Sequence, residues 1–315
     1  MVSIQRILCP IDFSDASRHA LEHAAASAGW YRAQITILHV YGAPQPWVPA
    51  QDMPGSAPLG PAAQAQDVAE EVRRFCTPII GGGGPEIVVM EGNPAKEIVL
   101  LAERMAADLL VMGTHGRGGF ERLFLGSVTE KVLRTTPCPV LTIPPPIQTP
   151  SDDPVVYKTI LCPVDFSDTS SRALEYASSL ARETDARLIL LHVLENLINA
   201  PDADMSAYIN VPEYRRHLEE NAMTRLKTAI LDDARLGRSE ARVTSGKPFR
   251  EILRVAAETN AELIVMGVHG RGAVERWVFG STTHHIIREA RRAVLTLRTD
   301  APAPARDADA DLVPS

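Results

Sequence analysis

No stretch of this sequence approaches the roughly 18 consecutive apolar residues that a membrane-spanning helix needs, which excludes a helical membrane protein. Cysteine is scarce, four residues in 315. None forms a C-x-x-C pair, and Cys9 and Cys162 sit inside matching apolar runs, so structural thiols are the better reading than disulfides or metal ligands. Basic charge is also in short supply. With 32 Lys and Arg against 39 Asp and Glu, the net charge is −7. General affinity for a nucleic acid backbone is therefore not expected, and the local cluster Arg288, Arg291, Arg292 and Arg298 reads as a solvated face. The N-terminus enters a strand-like run at Ile4–Leu8 without the basic segment and apolar core of an export signal, so a cytoplasmic location is expected. Catalytic signatures are missing too. There is no G-x4-G-K-S/T, K-M-S-K-S or S-G-G-x-D-S, and His19 and His23 share a helix face without the glutamate of H-E-x-x-H.

What the sequence does have, it has twice. The stretch from Gly113 to Ser127, GTHGRGGFERLFLGS, returns from Gly267 to Ser281 as GVHGRGAVERWVFGS. Asp12 and Asp165 stand 153 positions apart, as do His39 and His192, while Gly113 and Gly267 stand 154 apart. A constant offset with one net insertion is a tandem domain repeat, and a length of 315 residues agrees with two domains of about 150. The Pro-rich segment around Pro144–Pro154 marks the boundary. The expected organisation is a first domain over 1–146, a linker over 147–154, a second domain over 155–299 and a disordered tail over 300–315. The stretch from Ala43 to Gln66 reads as a mobile loop.

Element order repeats as well. In the first half, apolar runs at Ile4–Cys9, Ile35–Tyr41, Glu86–Met90, Leu109–Met112 and Val140–Ile143 alternate with helical patterns. The second half matches them at Thr159–Cys162, Leu188–Leu194, Ala241–Thr244, Leu263–Met266 and Val294–Leu297. Pro94 and Pro248 open the third helix of each half. Continuous apolar strands separated by helices imply an α/β fold: two tandem Rossmann-like domains, each with a five-stranded parallel sheet flanked by helices. Ligands of such sheets bind beyond the carboxyl ends of the strands, where both glycine loops fall.

The pattern G-x2-G-x9-G-S after a strand lets backbone N–H groups approach a ligand closely, and its final Gly-Ser can open a helix whose free N–H groups attract anions. Phosphate is the natural ligand. Arg117 and Arg271 stand beside the second glycine, where a guanidinium can reach a phosphate or pair with Glu121 or Glu275. The segments CPIDFSD and CPVDFSD put Asp12 and Asp165 at the same sheet edge, suited to ribose hydroxyls or to a magnesium ion. Ser14 or Asp15 can cap the next helix, which leaves Asp12 less needed for that task. Strand two ends in Leu-His-Val both times, offering backbone groups to an adenine edge. His115 and His269 lack a second ligand at metal-binding spacing and read as loop-ordering residues. Ser127-Val-Thr-Glu130 has the form of a capping box. Ser281-Thr-Thr-His284 lacks the acid, so the second site is expected to be the less well formed, with His284 and His285 able to face a phosphate or simply to stand exposed.

Taken together, the P-x-D of strand one, the G-x2-G-x9-G-S loop and the terminal CPVLTI resemble the universal stress protein family over nearly all of both halves. The resemblance implies a five-stranded parallel sheet related to the Rossmann type and, as in one subgroup, ATP bound through the glycine loop; magnesium is expected to accompany the ATP. It implies phosphate contacts at Gly113, Gly116, Arg117, Gly126, Ser127, Val128 and Thr129, a ribose contact at Asp12, and adenine-side contacts at Val40 and Met112. The second-half matches are Gly267, Gly270, Arg271, Gly280, Ser281, Thr282 and Thr283, with Asp165, Val193 and Met266. Ala293 stands where the first half has Pro139. The expected function is ATP binding in a stress response, acting through conformation or partner binding. Slow ATP hydrolysis, adenylyl or phosphoryl transfer, and a nucleotide-free interaction module are the alternatives. Family members commonly pair through their last strand, so the two halves are expected to form an intramolecular pseudo-dimer through Val140–Ile143 and Val294–Leu297. A homodimer and an unidentified protein partner stay open.

Overall fold

The computed structural model describes residues 2–42, 61–81, 84–115, 125–145, 154–195, 211–232, 238–268 and 280–298. The chain divides into two compact units, Ser3–Val155 and Val156–Ser315 together with Met1–Val2.

In the Ser3–Val155 unit, strands β1 (Arg6–Ile11), β2 (Gln34–Tyr41), β3 (Glu86–Glu91), β4 (Leu109–Gly113) and β5 (Val140–Ile143) alternate with helices α1 (Asp15–Tyr31), α2 (Pro61–Ile80), α3 (Pro94–Arg104) and α4 (Ser127–Thr135). Every pairing is parallel, in the order β3-β2-β1-β4-β5. Central strands covered on both faces need apolar side chains at successive positions. Ile7, Leu8 and Cys9 of β1 and Leu110 and Val111 of β4 meet that need, each with no exposed surface. Helix α1 covers them with Ala16, Ala20, Leu21 and Ala24 at helical spacing, and the three alanines let it lie close to the sheet.

The Val156–Ser315 unit repeats this plan. Its strands are β6 (Thr159–Pro163), β7 (Arg187–Leu194), β8 (Ser239–Ser245), β9 (Leu263–Gly267) and β10 (Ala293–Leu297), and its helices α5 (Asp168–Thr184), α6 (Val211–Asp232), α7 (Pro248–Glu258) and α8 (Ser281–Glu289). All pairings are again parallel, in the order β8-β7-β6-β9-β10. The expected fold class is thus observed.

Local signals set the helix limits. Ser14 and Ser167 cap α1 and α5 by accepting from the N–H groups of Ser17 and Ser170. Pro94 and Pro248 occupy the first helical position, where the missing N–H costs nothing. All four cysteines are buried and free.

Two expectations need correction. Strand β1 begins at Arg6 rather than Ile4, because the N–H groups of Gln5 and Arg6 donate to the carboxylate of Asp108 at 3.0 and 2.9 Å. It ends at Ile11, since Pro10 and Ile11 keep their register against Leu38 and His39. The loop expected to reach Gln66 stops sooner. Helix α2 starts at Pro61, with proline at its first position and Ala and Gln, good helix formers, after it. Residues 43–60, linker residues 147–153 and tail residues 300–315 lie outside the described residues.

Candidate functional site

The strand order reverses between β1 and β4 in the first unit and between β6 and β9 in the second, and an open parallel sheet forms its ligand crevice at such a point. Strands β1 and β4 pair at Ile7 with Leu109 and Leu8 with Leu110. Continuing that register sets Asp12 level with Thr114, just past the ends of both strands. In the second unit, Ile160 pairs with Leu263, which sets Asp165 level with Val268. Gly113 is needed here for packing. A Cβ on it would stand 3.0 Å from both the Cβ and the carbonyl oxygen of Ala16, so its absence lets the start of α1 close onto the end of β4.

Each aspartate holds a tight turn. Asp12 Oδ1 accepts from the Ser14 N–H at 3.1 Å and from the Ser14 hydroxyl at 2.5 Å. Asp165 Oδ1 accepts from Ser167 at 3.0 and 2.6 Å. Of the two caps the sequence offered, Ser14 and Asp15, Ser14 is the one that caps its helix, and Ser167 does the same in the second unit. The aspartates are nonetheless part of the same helix entry, because each orients the serine that caps. Between aspartate and serine stand Phe13 and Phe166, both at φ 63°. Their rings lie 4.6 Å from the imidazoles of His39 and His192, centroid to centroid. Each imidazole is pinned in turn, donating from Nδ1 to the carbonyl of Ile11 at 2.9 Å or of Val164 at 2.6 Å.

The start of α4 is tethered to the same sheet edge. Gly126 donates its N–H to the Thr114 carbonyl at 2.8 Å, and the Thr129 hydroxyl donates to the Gly113 carbonyl at 2.9 Å. Gly280 donates to Val268 at 3.1 Å, and the Thr283 hydroxyl donates to Gly267 at 3.0 Å. A Cβ on Gly126 would meet the Thr114 oxygen at 3.1 Å, and one on Gly280 would meet the Val268 oxygen at 2.7 Å. Intrahelical bonding begins only with Glu130 onto Gly126 and His284 onto Gly280. Among the described residues, the N–H groups of Ser127, Val128 and Thr129, and of Ser281, Thr282 and Thr283, therefore donate to no protein acceptor. Three converging donors at the positive end of a helix are suited to an oxyanion.

The expected capping box is absent. The N-cap of α4 is Gly126, with no side-chain cap, so Ser127 is already inside the helix, and Glu130 pairs with Arg134 at 2.8 Å. Helix α8 starts identically from Gly280, which removes this reason for ranking the first site above the second. His285 does not turn to the helix start either. Its ring stacks on Phe249 at 4.4 Å and 17°, and its Nδ1 lies 3.1 Å from Glu289 Oε1.

Of the other anticipated residues, Val40 and Val193 are half-buried near the carboxyl ends of β2 and β7, and Met112 and Met266 are buried in the core. Gly116, Arg117, Gly270 and Arg271 lie outside the described residues, as does His269. His115 shares a 2.8 Å hydrogen bond through Nδ1 with the Thr114 hydroxyl, and burial holds its pKa below the usual histidine value. The roles of Phe13, His39 and Thr114 escaped the sequence reading, although the repetition of Asp-Phe-Ser and Leu-His-Val pointed to the first two.

A doubly wound parallel sheet with a helix starting beside its switch point defines a Rossmann-like fold, present here twice. Comparison with known proteins gives it a family. The universal stress protein family model matches residues 3–144 and again residues 156–298. The chain belongs to the universal stress protein family, as a tandem two-domain member. A universal stress protein of Methanocaldococcus jannaschii is 36% identical over 146 residues, 45% of this chain and 83% of that one. One of Mycobacterium tuberculosis is 24% identical over 303 residues, 93% of this chain and 96% of the relative. The crystal structure of a universal stress protein from Archaeoglobus fulgidus aligns with a TM-score of 0.64 at 24% identity, covering 94% of this chain and 97% of that one, which shows the shared fold.

Proposed function

We propose that this chain binds ATP at the carboxyl edge of each sheet and acts in a stress response through conformation or partner binding rather than through turnover. The observation that carries this reading is the pair of helix starts. Three successive N–H groups at Ser127–Thr129, and again at Ser281–Thr283, have no protein acceptor among the described residues, and a buried threonine hydroxyl fixes each start to the strand beside it. The fit to a nucleotide is good on donor chemistry. Backbone N–H groups supply the phosphate end, and a carboxylate one strand away, at Asp12 or Asp165, supplies an acceptor for ribose hydroxyls.

Among the described residues, no three His, Cys, Asp or Glu side chains gather to hold a metal. Magnesium accompanying the nucleotide would then take its ligands from phosphate oxygens, water and at most a carboxylate, its usual habit. No described helix is long and apolar enough to cross a membrane.

Two measurements test the proposal. Nucleotide released by heat from the purified protein is expected to be ATP or its hydrolysis product, and titration is expected to show ATP binding that the double substitution Gly116→Val, Gly270→Val abolishes, because a β-branched side chain blocks backbone approach. A folded double variant that bound ATP as the wild type does would overturn the pocket.

A further inference from the structure

The turn after strand one carries a residue that turn chemistry does not explain. When an aspartate side chain accepts from the N–H two residues on, it closes a ring resembling a β-turn, and the residue between takes the position where φ is positive in a type II turn. Glycine fills that position without strain. Here phenylalanine fills it twice, Phe13 and Phe166, both at φ 63°. A bulky residue in the left-handed region is a genuine outlier, and it persists only where its surroundings impose it.

Those surroundings are visible in both units. The Phe13 ring lies 4.6 Å from the His39 imidazole, tilted by 45°, and meets the edge of Phe75 on α2 at 5.4 Å, with the Arg18 guanidinium 4.5 Å above Phe75. The Phe166 ring lies 4.6 Å from His192, tilted by 36°, and the Arg225 guanidinium from α6 sits directly over it at 3.7 Å. The two units reach the same grip with different residues, an aromatic edge in one and a cation in the other. What they share is the strained phenylalanine, the pinned imidazole and the aspartate.

We propose that Phe13 and Phe166 are positioning residues of the nucleotide site, whose gripped rings hold the left-handed turn that aims Asp12 and Asp165 at the ribose. This inference rests on the adenine-nucleotide reading above. Its chemical content is selectivity. The carboxylates read the ribose hydroxyls, and the rings decide whether the carboxylates point the right way. Loss of a ring therefore costs discrimination between nucleotides with and without those hydroxyls, whereas the helix-start contacts to phosphate are untouched.

The test uses the full chain and two probes, ATP and 2′,3′-dideoxy-ATP, titrated against wild type and variants whose folding is checked by circular dichroism. Wild type is expected to prefer ATP by at least about tenfold, the worth of one charge-assisted hydrogen bond. The reference double variant Asp12→Ala, Asp165→Ala brings that ratio near one. Phe13→Ala with Phe166→Ala is expected to do the same with little change in affinity for the dideoxy compound, because alanine relaxes out of the left-handed region. Phe13→Gly with Phe166→Gly keeps more of the preference than alanine does, since glycine holds a positive φ at no steric cost. Phe→Tyr at both positions, which keeps the rings, retains it. Should the alanine variant not fold, Phe→Leu at both positions replaces it. The inference is overturned if a folded alanine or leucine variant keeps the wild-type ratio, if it loses affinity for both probes equally, or if wild type binds both probes equally well. Wild type that binds neither probe removes the nucleotide reading itself, a failure distinguishable from the others.

Discussion

The hydroxyl of Thr129 donates to the carbonyl of Gly113 at 2.9 Å across sixteen residues of chain, and Thr283 repeats the bond on Gly267 at 3.0 Å. Both threonines are buried. In each unit this bond joins the backbone bond from Gly126 or Gly280 in fixing the start of a helix to the end of the strand before it.

Replacing Thr129 with valine keeps the shape and removes the bond. We expect a loss of about 0.5–1.5 kcal/mol in the stability of that unit, larger if the Gly113 carbonyl finds no water. ATP affinity should fall several-fold as the helix start loosens. Urea denaturation and nucleotide titration of Thr129→Val, with Thr129→Ser as the control that restores the donor, check both parts. Equal behaviour of valine and serine would remove the hydroxyl from the argument.

Glycine at the helix starts answers to close packing, and the two units differ in how close it is. Gly280→Ala would press a Cβ against the Val268 oxygen at 2.7 Å, whereas Gly126→Ala meets the Thr114 oxygen at 3.1 Å. The first change should cost about 1–3 kcal/mol and the second less. Denaturation midpoints of the two single variants give the order directly, and the reverse order would show that the strand end yields more easily in the second unit.

Helix α3 is capped by Asn93, whose Oδ1 accepts from the Lys96 N–H at 3.2 Å, while Lys247 stands at the corresponding position before α7 and provides no cap. Asn93→Ala should cost about 0.5–2 kcal/mol. Lys247→Asn should raise the stability of the second unit by up to about 1 kcal/mol, by supplying the missing acceptor. Chemical denaturation of the two variants tests the pair of opposite signs.

Burial, with a smaller contribution from neighbouring His19, lowers the pKa of His23 to about 3 from its ordinary 6.5. Folded protein therefore keeps this imidazole neutral through the range where the unfolded chain takes up a proton. Stability contributed by the neutral group is intact above pH 6.5 and is lost as pH falls from 6.5 toward 3, at up to about 1.4 kcal/mol per unit. The rings of His19 and His23 meet edge to face at 4.8 Å, and Glu22 pairs with His19, so these are the groups that face the change. His23→Leu should flatten the stability profile between pH 6.5 and 4. A profile as steep as that of wild type would assign the acid sensitivity elsewhere.

The stacking of His285 on Phe249 makes it part of the α7–α8 contact, and its Nδ1 approaches Glu289 one turn along α8. His285→Gln is accordingly expected to leave the pH dependence of ATP binding unchanged between pH 8 and 6 while lowering the denaturation midpoint slightly. A loss of pH-dependent binding in the variant would return this histidine to the phosphate site.

Much of this protein is decided by local order along the chain. The doubled landmarks, the alternation of apolar runs with helical periods, and Pro94 and Pro248 determine two parallel α/β units, because a strand buried on both faces admits only apolar residues and a proline tolerates few helical positions. The carboxyl-edge position of Asp12, Gly113 and the Gly-Ser helix start follows from the same order. Tertiary structure decided the rest. Ser127 looks like an N-cap in sequence, yet the bond from Gly126 to the Thr114 carbonyl starts the helix one residue earlier and leaves Glu130 to Arg134. Phe13 reads as one more apolar residue until His39 and Phe75, 26 and 62 positions away, close on its ring and hold it at a positive φ. Such contacts join residues far apart in the chain, and the backbone strain they sustain has no signature in local propensity, since it is the packing of the whole unit that imposes it.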